Sequence, residues 1–342
     1  MMSYAFDVVS QGELLVDFTP YGLSDQGNVL LETNPGGGPC NVLAMVAKLS
    51  GRSAFVGKVG DDFYGHFLSN RVSSQEIDVS GVVYDAHAFT TLAFVHLNEE
   101  GERHFSFARK PGADSLLTQS DIPVHVLDAA KIFHYSSVAL SVEPARSAMK
   151  FSVEHTCEKG KLLSFDPNYR PLLWSSEQEA KEQIRYGFSH CNILKIAEDE
   201  IVFMTGLTDV RMAVDKISTD YPNIAIIFAT RGKKGCLTYA KNADVPIWIQ
   251  TDTFTQVKTI DTTGAGDIFI GYCLYVIAKR MSLNFSKAEL QEMVVHANAA
   301  ASLITTRKGA LCAVPTREEI DRLADEQSNA FSTEKEIGEA TV

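Results

Sequence analysis

The chain has 342 residues, 45% of them hydrophobic, and its 43 acidic and 31 basic residues give a formal charge of -12 at pH 7. This length is sufficient for a large core in one or two α/β domains. The negative charge opposes non-specific binding to nucleic acid or anionic lipid, so a small-molecule partner is favoured.

Cysteine usage and hydropathy bear on the compartment. Six cysteines are scattered without a CxxC pair, which is typical of reduced thiols in a cytoplasmic protein. The most apolar stretch, residues 268–278, is far shorter than the roughly 20 residues of a membrane span, and the N-terminus does not resemble a signal peptide. The nine histidines show no HxxxH or HxH spacing, which argues against a zinc or iron site. The sequence predicts a cytoplasmic protein without a membrane partner.

Short β-rich runs alternate with helical patterns along most of the chain. In order, they are a strand FDVVSQGELLVDF, a helix from about Cys40, a strand AFVGKV, a helix from Asp61, strands LLSFDPN, NILKI and IAIIFAT, and two C-terminal helices. This alternation predicts an α/β fold with a doubly wound, mostly parallel sheet and helices on both faces.

Between residues 82 and 107 the alternation is interrupted. The strands GVVYD, TTLAFVHL and RHFSF follow one another with a hairpin signal, NEEGER, and without a crossover helix. We expect one domain over residues 1–324, with a small antiparallel lid built from about residues 14–33 and 82–107. The polar tail, residues 325–342, is expected to fray.

Residues 261–267 read DTTGAGD and stand between a strand-like QVKTI and an apolar helical pattern. Small residues at a helix N-terminus expose amides that can hold an anion. Asp267, beside Gly264, Ala265 and Gly266, can then accept a proton from an alcohol while the amides hold a phosphoryl group. On spacing alone, an ordinary N-cap or first-turn acid is an equal alternative.

A second glycine-rich turn, PGGGPCN, occupies residues 35–41. The backbone of Gly36 and Gly37 can approach a ligand closely, and Asn41 can bond sugar hydroxyls. The alternative is a flexible turn with Asn41 as the N-cap of the next helix. Neither the Rossmann fingerprint nor a Walker A loop is present.

Together with VGKVGDDFYG at residues 56–65 and DTTGAGDIFIGY at residues 261–272, this turn makes the chain resemble the ribokinase-like (pfkB) sugar kinases. The resemblance covers residues 8–320. It implies a ribokinase-like fold with a β-sheet lid, and transfer of a phosphoryl group from ATP to a primary hydroxyl of a sugar. ATP, Mg²⁺ and K⁺ are the implied cofactors.

The resemblance also implies roles for individual residues. Asp267 is the implied catalytic base, with Gly264, Ala265 and Gly266 forming the anion hole. The implied sugar-binding residues are Asp17 in GELLVD at the end of the first strand, Gly36, Gly37, Asn41, Phe107, Arg109, and Arg170 in FDPNYR. The implied ATP-binding residues are Lys195, Thr230, Gly232, Gly235, Gly264, Gly266 and Asn298. Without the family, these segments read as ordinary turns and an amphipathic helix.

Two metal sites follow from the same resemblance. The NxxE motif of the family, whose Glu orders Mg²⁺ through water, is here residues 197–200, with Ala197 in place of Asn and Glu200 retained. The change weakens the Mg²⁺ argument for this segment. A monovalent cation is implied near Asp261 and Thr263, and near Gly309 in the segment that follows the last long helix.

The sugar is predicted from residues 104–117, HFSFARKPGADSLL, which resemble the fructokinase version of this segment. In the Ala113-Asp114 pair of this segment, Asp114 would repel an anionic substrate and could hold Arg109 in place; a solvent-facing acid or a cap of the following helix is the alternative. We therefore expect D-fructose to be converted to fructose 6-phosphate, with 2-keto-3-deoxygluconate kinase or ribokinase as alternatives and a catalytically dead sugar-binding regulator as a reading of another class. The expected partners are the sugar, ATP and a second subunit contacted through the lid.

Overall fold

The structure, a computed structural model, describes residues 4–97, 103–254 and 256–326. Strands are numbered in chain order: β1 Phe6–Gln11, β2 Leu15–Leu23, β3 Val29–Gly36, β4 Ser53–Gly60, β5 Ile77–Asp85, β6 Leu92–Leu97, β7 Arg103–Ala108, β8 Ala130–Ser136, β9 Leu162–Asp166, β10 Ile193–Ala197, β11 Ile226–Thr230, β12 Cys236–Ala240 and β13 Ile247–Thr251. Helices are α1 Gly38–Lys48, α2 Phe63–Ser73, α3 Val124–Asp128, α4 Ala145–Glu158, α5 Glu177–His190, α6 Glu198–Thr205, α7 Val210–Asp220, α8 Ala265–Arg280 and α9 Lys287–Ile304; residues 317–326 are also helical.

A large sheet forms the body of the molecule, in the strand order β13-β12-β11-β10-β9-β8-β1-β4-β5. Pairing is parallel from β11 to β5, and antiparallel between β11 and β12 and between β12 and β13. Consecutive buried residues of β1, Val8 and Val9, belong to separate apolar clusters on opposite faces. The sheet is therefore covered by helices on both sides, as predicted.

The first predicted strand is in fact two strands in two different sheets. β1 ends at Gln11, where its pairing with β4 and β8 also ends, and β2 begins at Leu15. Asp17 lies within β2 and not at the end of the first strand. The prediction was wrong because the apolar pattern continues through both strands although the chain changes sheets after Gly12.

The small sheet, called the lid below, has the order β3-β2-β6-β7. It is not purely antiparallel, since β2 runs parallel to β6. The predicted lid strand GVVYD belongs instead to β5, which pairs with β4 of the large sheet after the α2 crossover. Residues 98–102 of the predicted hairpin lie outside the described residues.

Three local expectations also needed correction. QVKTI is not a strand, because the sheet already ends with β13. α1 begins at Gly38, and Asn41 is within its first turn, so Asn41 is not the N-cap. The helix of residues 317–326 includes the first two residues of the predicted polar tail, and residues 327–342 lie outside the described part. Across the described ranges, no helix combines the length and apolar character needed to cross a bilayer.

Candidate active site

The two glycine-rich turns meet at the N-termini of α1 and α8. Asn41 Nδ2 donates a hydrogen bond to Asp267 Oδ2 at 2.9 Å, across 226 residues of sequence. A Cβ added at Gly38 would lie 3.5 Å from Asp267 Oδ1. The structure therefore brings together the sugar-side turn and the predicted catalytic carboxylate.

Asp267 lies in the first turn of α8. Protein atoms surround its side chain, which is only partly exposed to solvent. Burial is the largest influence and raises its pKa to about 6; the Asn41 hydrogen bond lowers it, Asp166 raises it, and Lys195 and Arg170 lower it. A carboxyl with this pKa is mostly ionised at neutral pH yet basic enough to accept a proton. The environment suits a general base.

The anion cradle is formed by the start of α8. Gly264 is the N-cap with φ 77°, and a Cβ there would lie 2.6 Å from the Ala310 Cβ. A Cβ at Gly266 would lie 3.1 Å from Lys195 Nζ. Gly264 must therefore be small, and Gly266 allows Lys195 to lie close to the helix. The first-turn amides, which have no intrahelical acceptor, face a region next to an ammonium group.

Lys195 is buried beside this cradle. Its Nζ lies 3.0 Å from Asp166 Oδ2. Burial, the largest influence, lowers its pKa, but Asp166, Glu200 and Asp267 raise it, and the net pKa lies above the ordinary value. Lys195 therefore remains charged where a phosphate would bind. Asp166, the second residue of FDPNYR, was not singled out from the sequence, and only its place at the end of β9 could have indicated its role.

Glu200 holds the backbone around this ion pair. Its Oε1 accepts the amide of Tyr169 and its Oε2 accepts the amide of Ala197, both at 2.8 Å. Ala197 has no side-chain oxygen, so the reciprocal half of a capping box does not form. Among the described residues, no three His, Cys, Asp or Glu side chains are grouped as potential metal ligands. Both Glu200 oxygens are occupied by amides, which fits contact with Mg²⁺ only through water.

Two cavities lie on either side of the α8 N-terminus. The smaller, about 170 Å³, is lined by lid and loop residues that include Asp17, Gly36, Asn41, Asp261, Thr263 and Gly309. The larger, about 640 Å³, is lined by residues that include Thr230, Gly232, Gly235, Ala265, Gly266 and Asn298. The predicted sugar and nucleotide residues are thus largely separated as expected. Of the predicted site residues in the described part of the chain, those that line neither cavity are Gly37, Phe107, Arg109, Arg170, Lys195, Glu200, Gly264 and Asp267.

Arg109 is held at the base of the lid by an acid. Its Nη2 lies 2.8 Å and its Nε 2.9 Å from Asp114 Oδ2, and Thr91 Oγ1 donates to Asp114 Oδ1. Asp114 is 6% exposed. The carboxylate therefore faces Arg109 rather than solvent. Arg170, by contrast, is exposed and donates to the Tyr169 carbonyl at 3.3 Å.

The segment expected to bind a monovalent cation is assembled at the smaller cavity. Asp261 Oδ1 accepts the Thr263 amide at 2.8 Å, and the Asp261 amide donates to the Thr305 carbonyl at 3.0 Å. Gly309 has φ 79°, a left-handed conformation that favours glycine. Residues of both glycine-rich turns, PGGGPCN and DTTGAGD, therefore line the smaller cavity.

Comparisons with known proteins agree with this geometry. Fructokinase-2 of Solanum lycopersicum is 40% identical over 316 residues, which cover 91% of this chain and 94% of the relative. Probable fructokinase-4 of Arabidopsis thaliana is 39% identical over 320 residues, or 92% of this chain and 96% of the relative.

Solved structures are similar throughout. Fructokinase with bound ATP from Xylella fastidiosa superposes with a TM-score of 0.85 at 28% identity, covering 94% of this chain and 99% of that one. A Vibrio cholerae fructokinase double mutant with bound fructose, ADP and potassium ion gives 0.82 at 32% identity, with the same coverages. The model of the pfkB family carbohydrate kinases matches residues 5–317. With this match, the two glycine-rich turns and the ribokinase-like fold, the chain belongs to the pfkB family of carbohydrate kinases.

Proposed function

We propose that this carbohydrate kinase is an ATP-dependent fructokinase that phosphorylates the 6-hydroxyl of D-fructose. The observation that carries the proposal is the Asp267 carboxylate, whose pKa is raised to about 6, at an amide cradle between the smaller and the larger cavity. The relatives named above as fructokinases support the choice of sugar.

In this proposal the smaller cavity holds the sugar. Asp17 and Asn41 bond its hydroxyls, and the backbone of Gly36 and Gly37 allows close approach, since a Cβ at Gly36 would lie 2.2 Å from Asp17 Oδ2. The Asn41 bond to Asp267 fixes the distance between the bound sugar and the base. Phe107 and Arg109 belong to the lid side of the site and contribute after lid closure.

The chemistry is an in-line displacement at phosphorus. Asp267 takes the proton of the sugar hydroxyl as its oxygen forms a bond to the γ-phosphorus, while the bond from that phosphorus to the bridging oxygen of ADP breaks. The amides of residues 264–267 and the Lys195 ammonium stabilise the negative charge on the transferred group. Thr230, Gly232, Gly235 and Asn298, which line the larger cavity, bind ATP.

Mg²⁺ supplies neutralisation of the phosphate charge when it is bound with ATP. Glu200 is the residue that would contact it, through water, because its two oxygens already accept backbone amides. We assign Glu200 the additional task of keeping the Tyr169 backbone and the start of α6 in place beside Lys195.

The monovalent site is proposed as a K⁺ site formed by Asp261, Thr263, Gly309 and neighbouring carbonyls. Its support is the shared cavity and the potassium ion bound in the Vibrio cholerae fructokinase. A bound cation would order the loop that packs on Gly264, and so shape the anion hole.

We also propose that the single kinase domain spans residues 1–324 and dimerises through the lid. The outer part of β2 and β3 exposes apolar side chains, including Tyr21 at 69%, Leu23 at 68% and Val29 at 64%. Such a surface is costly to leave in water, and an edge strand invites pairing with a second copy.

The activity is tested by mixing the purified chain with ATP, Mg²⁺, K⁺ and each of a panel of sugars, and measuring ADP production. Fructose should give the highest rate, and the product should be the 6-phosphate by nuclear magnetic resonance. Fructose binding measured by calorimetry without any ADP production would instead support the regulator reading.

A further inference from the structure

Glu13 is a buried acid that none of the roles assigned above uses. It lies between β1 and β2, is 7% exposed, and its Oε1 accepts the amide of Gly38 at 3.0 Å. Its Oε2 is buried and has no hydrogen-bond partner among the residues that the structure describes. A buried carboxyl lowers the stability of the fold unless its hydrogen bonds compensate for the lost hydration. An acid that is retained here with one unpaired oxygen therefore suggests a functional role.

Glu13 replaces the missing cap of α1. The N-cap of this helix is Gly37, which has no side chain, and the first turn contains no acid. The first-turn amides of a helix need an acceptor, and a negative charge there is favourable. Glu13, 25 residues earlier in the chain, supplies both.

The turn of α1 that Glu13 caps also carries the residue that orients the proposed catalytic base, Asp267. Three side-chain atoms converge at Gly38: a Cβ added there would lie 2.9 Å from Asn168 Nδ2 and 3.5 Å from both Glu13 Oε1 and Asp267 Oδ1. One turn later, Asn41 donates to Asp267. A displacement of this turn therefore moves the hydrogen bond that orients the catalytic carboxylate.

The same acid interacts with the base of the lid. The charges of Glu13 and Arg109 act on each other, since Arg109 lowers the pKa of Glu13 and Glu13 raises that of Arg109. Asp114, which holds Arg109, acts on Glu13 in the opposite direction. Glu13 therefore contacts the turn under Asp267 and lies within the electrostatic influence of Arg109 and Asp114.

We propose that Glu13 is a positioning residue for phosphoryl transfer, which fixes the first turn of α1 beneath Asn41 and Asp267. The inference deepens the proposed function and rests on it for the kinetic readouts. It assigns Glu13 no contact with the reacting atoms.

The matched pair Glu13→Ala and Glu13→Gln separates positioning from folding. Glu13→Ala removes the acceptor of the Gly38 amide, and kcat should fall roughly 10- to 100-fold while the KM for ATP changes less than about threefold. Glu13→Gln keeps an acceptor of the same shape, and above pH 8 it should restore kcat to within about threefold of the parent.

The pH profile gives a readout that a merely structural role would not change. Burial is the main cause that raises the Glu13 pKa to about 7; Arg109 lowers it and Asp114 raises it, and Cys40 is the other titratable group influenced by Glu13. Ionised Glu13 is the stronger acceptor, so kcat should rise as pH passes through 7. In Glu13→Gln this component is lost, and the acid-side midpoint should move from about 7 to about 6, the value for Asp267.

Asp7→Asn is the control. Asp7 is a buried acid of β1, the strand that precedes Glu13, and its Oδ2 accepts the Arg52 amide at 2.9 Å at the end of β1 far from Glu13. It should lower Tm without moving the pH midpoint.

Hydrogen exchange of the Gly38, Cys40 and Asn41 amides, measured without substrate, tests the structural half of the inference independently of any activity. Glu13→Ala should exchange faster than the parent and Glu13→Gln should not. Unchanged exchange in Glu13→Ala would overturn the inference even if no sugar is phosphorylated. Failure of the parent to phosphorylate any sugar, with exchange as expected, would overturn the proposed function only. If the parent is active and Glu13→Ala has the same kcat as the parent, the proposed effect of Glu13 on phosphoryl transfer would be refuted.

Discussion

Asp267 combines the two properties that a general base needs at neutral pH. Its pKa of about 6 leaves most of it ionised, and the Asn41 hydrogen bond fixes its orientation. Asp267→Asn keeps the size of the side chain but removes the proton acceptor. We expect kcat to fall by about 10² to 10⁴ with ADP affinity largely retained, measured by steady-state kinetics and calorimetry.

The control for this substitution is Asp215→Asn, an exposed acid on α7, which should keep the parent rate. An Asp267→Asn enzyme that also runs within a few-fold of the parent would remove Asp267 from the chemistry.

Lys195 offers a second test at the scale of one residue. Lys195→Met removes the buried ammonium beside the cradle, and Asp267 loses a charge that lowers its pKa. We expect kcat to fall at least roughly tenfold and the acid-side midpoint of its pH profile to move upward. Because Asp166 is left without its buried partner, Tm should also decrease.

Lys216→Met, at an exposed pair with Asp220, is the control for Lys195→Met and should change neither property. A Lys195→Met enzyme with the parent pH midpoint would show that the ammonium does not act on Asp267.

Individual site residues could be predicted from sequence where a local motif carries them. Asp267 and Asn41 belong to glycine-rich turns with a direct physical meaning, and the structure brings them within a hydrogen bond. Asp166 and Glu13 were missed because their partners, Lys195 and Gly38, are distant in the chain. Their roles depend on strands that become neighbours only in the folded sheet.

At the scale of elements, the alternating strands and helices were predictable because the inner strands of the large sheet are buried on both faces and form short apolar runs in the sequence. The point at which the chain leaves the large sheet and enters the lid was not predictable. The apolar pattern of β1 and β2 is continuous, and nothing local shows that Gly12 separates two sheets. The strand GVVYD of β5 was wrongly expected in the lid for the same reason, since the sequence of a strand does not determine which strand it pairs with.

The loop elements around Gly264 lead to a prediction about K⁺. A Cβ at Gly264 would meet Ala310, so ordering of the loop after α9 is transmitted to the anion hole. We expect higher activity in potassium chloride than in tetramethylammonium chloride at equal ionic strength. Asp261→Asn should reduce this difference while leaving fructose binding measurable by calorimetry.

Equal ionic strength in the two salts excludes a general salt effect. Identical parent rates in potassium and tetramethylammonium would contradict the proposed cation site.

At the scale of the whole molecule, the exposed apolar side of the lid predicts a dimer. Leu23 and Val29 are paired across β2 and β3 and are both well exposed. The double substitution Leu23→Asp and Val29→Asp should shift the protein toward monomer, because burying two carboxylates in the interface is unfavourable. Sedimentation over a range of concentrations measures the effect.

Val245→Asp, at an apolar residue that is 71% exposed outside the lid, is the matched control and should leave the dimer intact. A parent chain that sediments as a monomer at every concentration would reject the proposed dimer.

The charge around the sugar cavity bears on substrate choice. Among the described residues that line this cavity, Asp17, Glu32 and Asp261 are acidic and Lys308 is basic, so the lining carries a net formal charge of -2. Arg109, a candidate for binding a substrate carboxylate, is already neutralised by Asp114. A neutral sugar therefore meets less repulsion here than a sugar acid such as 2-keto-3-deoxygluconate.

We accordingly predict that kcat/KM for fructose exceeds that for 2-keto-3-deoxygluconate and for ribose by at least roughly tenfold, a difference of about 1.4 kcal/mol in transition-state binding. Arg109→Ala should lower activity on fructose and on the keto acid to a similar extent, since Arg109 acts through Asp114 and the lid. A parent enzyme that prefers the keto acid, with this preference abolished in Arg109→Ala, would show that Arg109 leaves Asp114 to bind a substrate carboxylate. That result would make the chain a keto-acid kinase, because a free guanidinium in the site is what an anionic sugar requires.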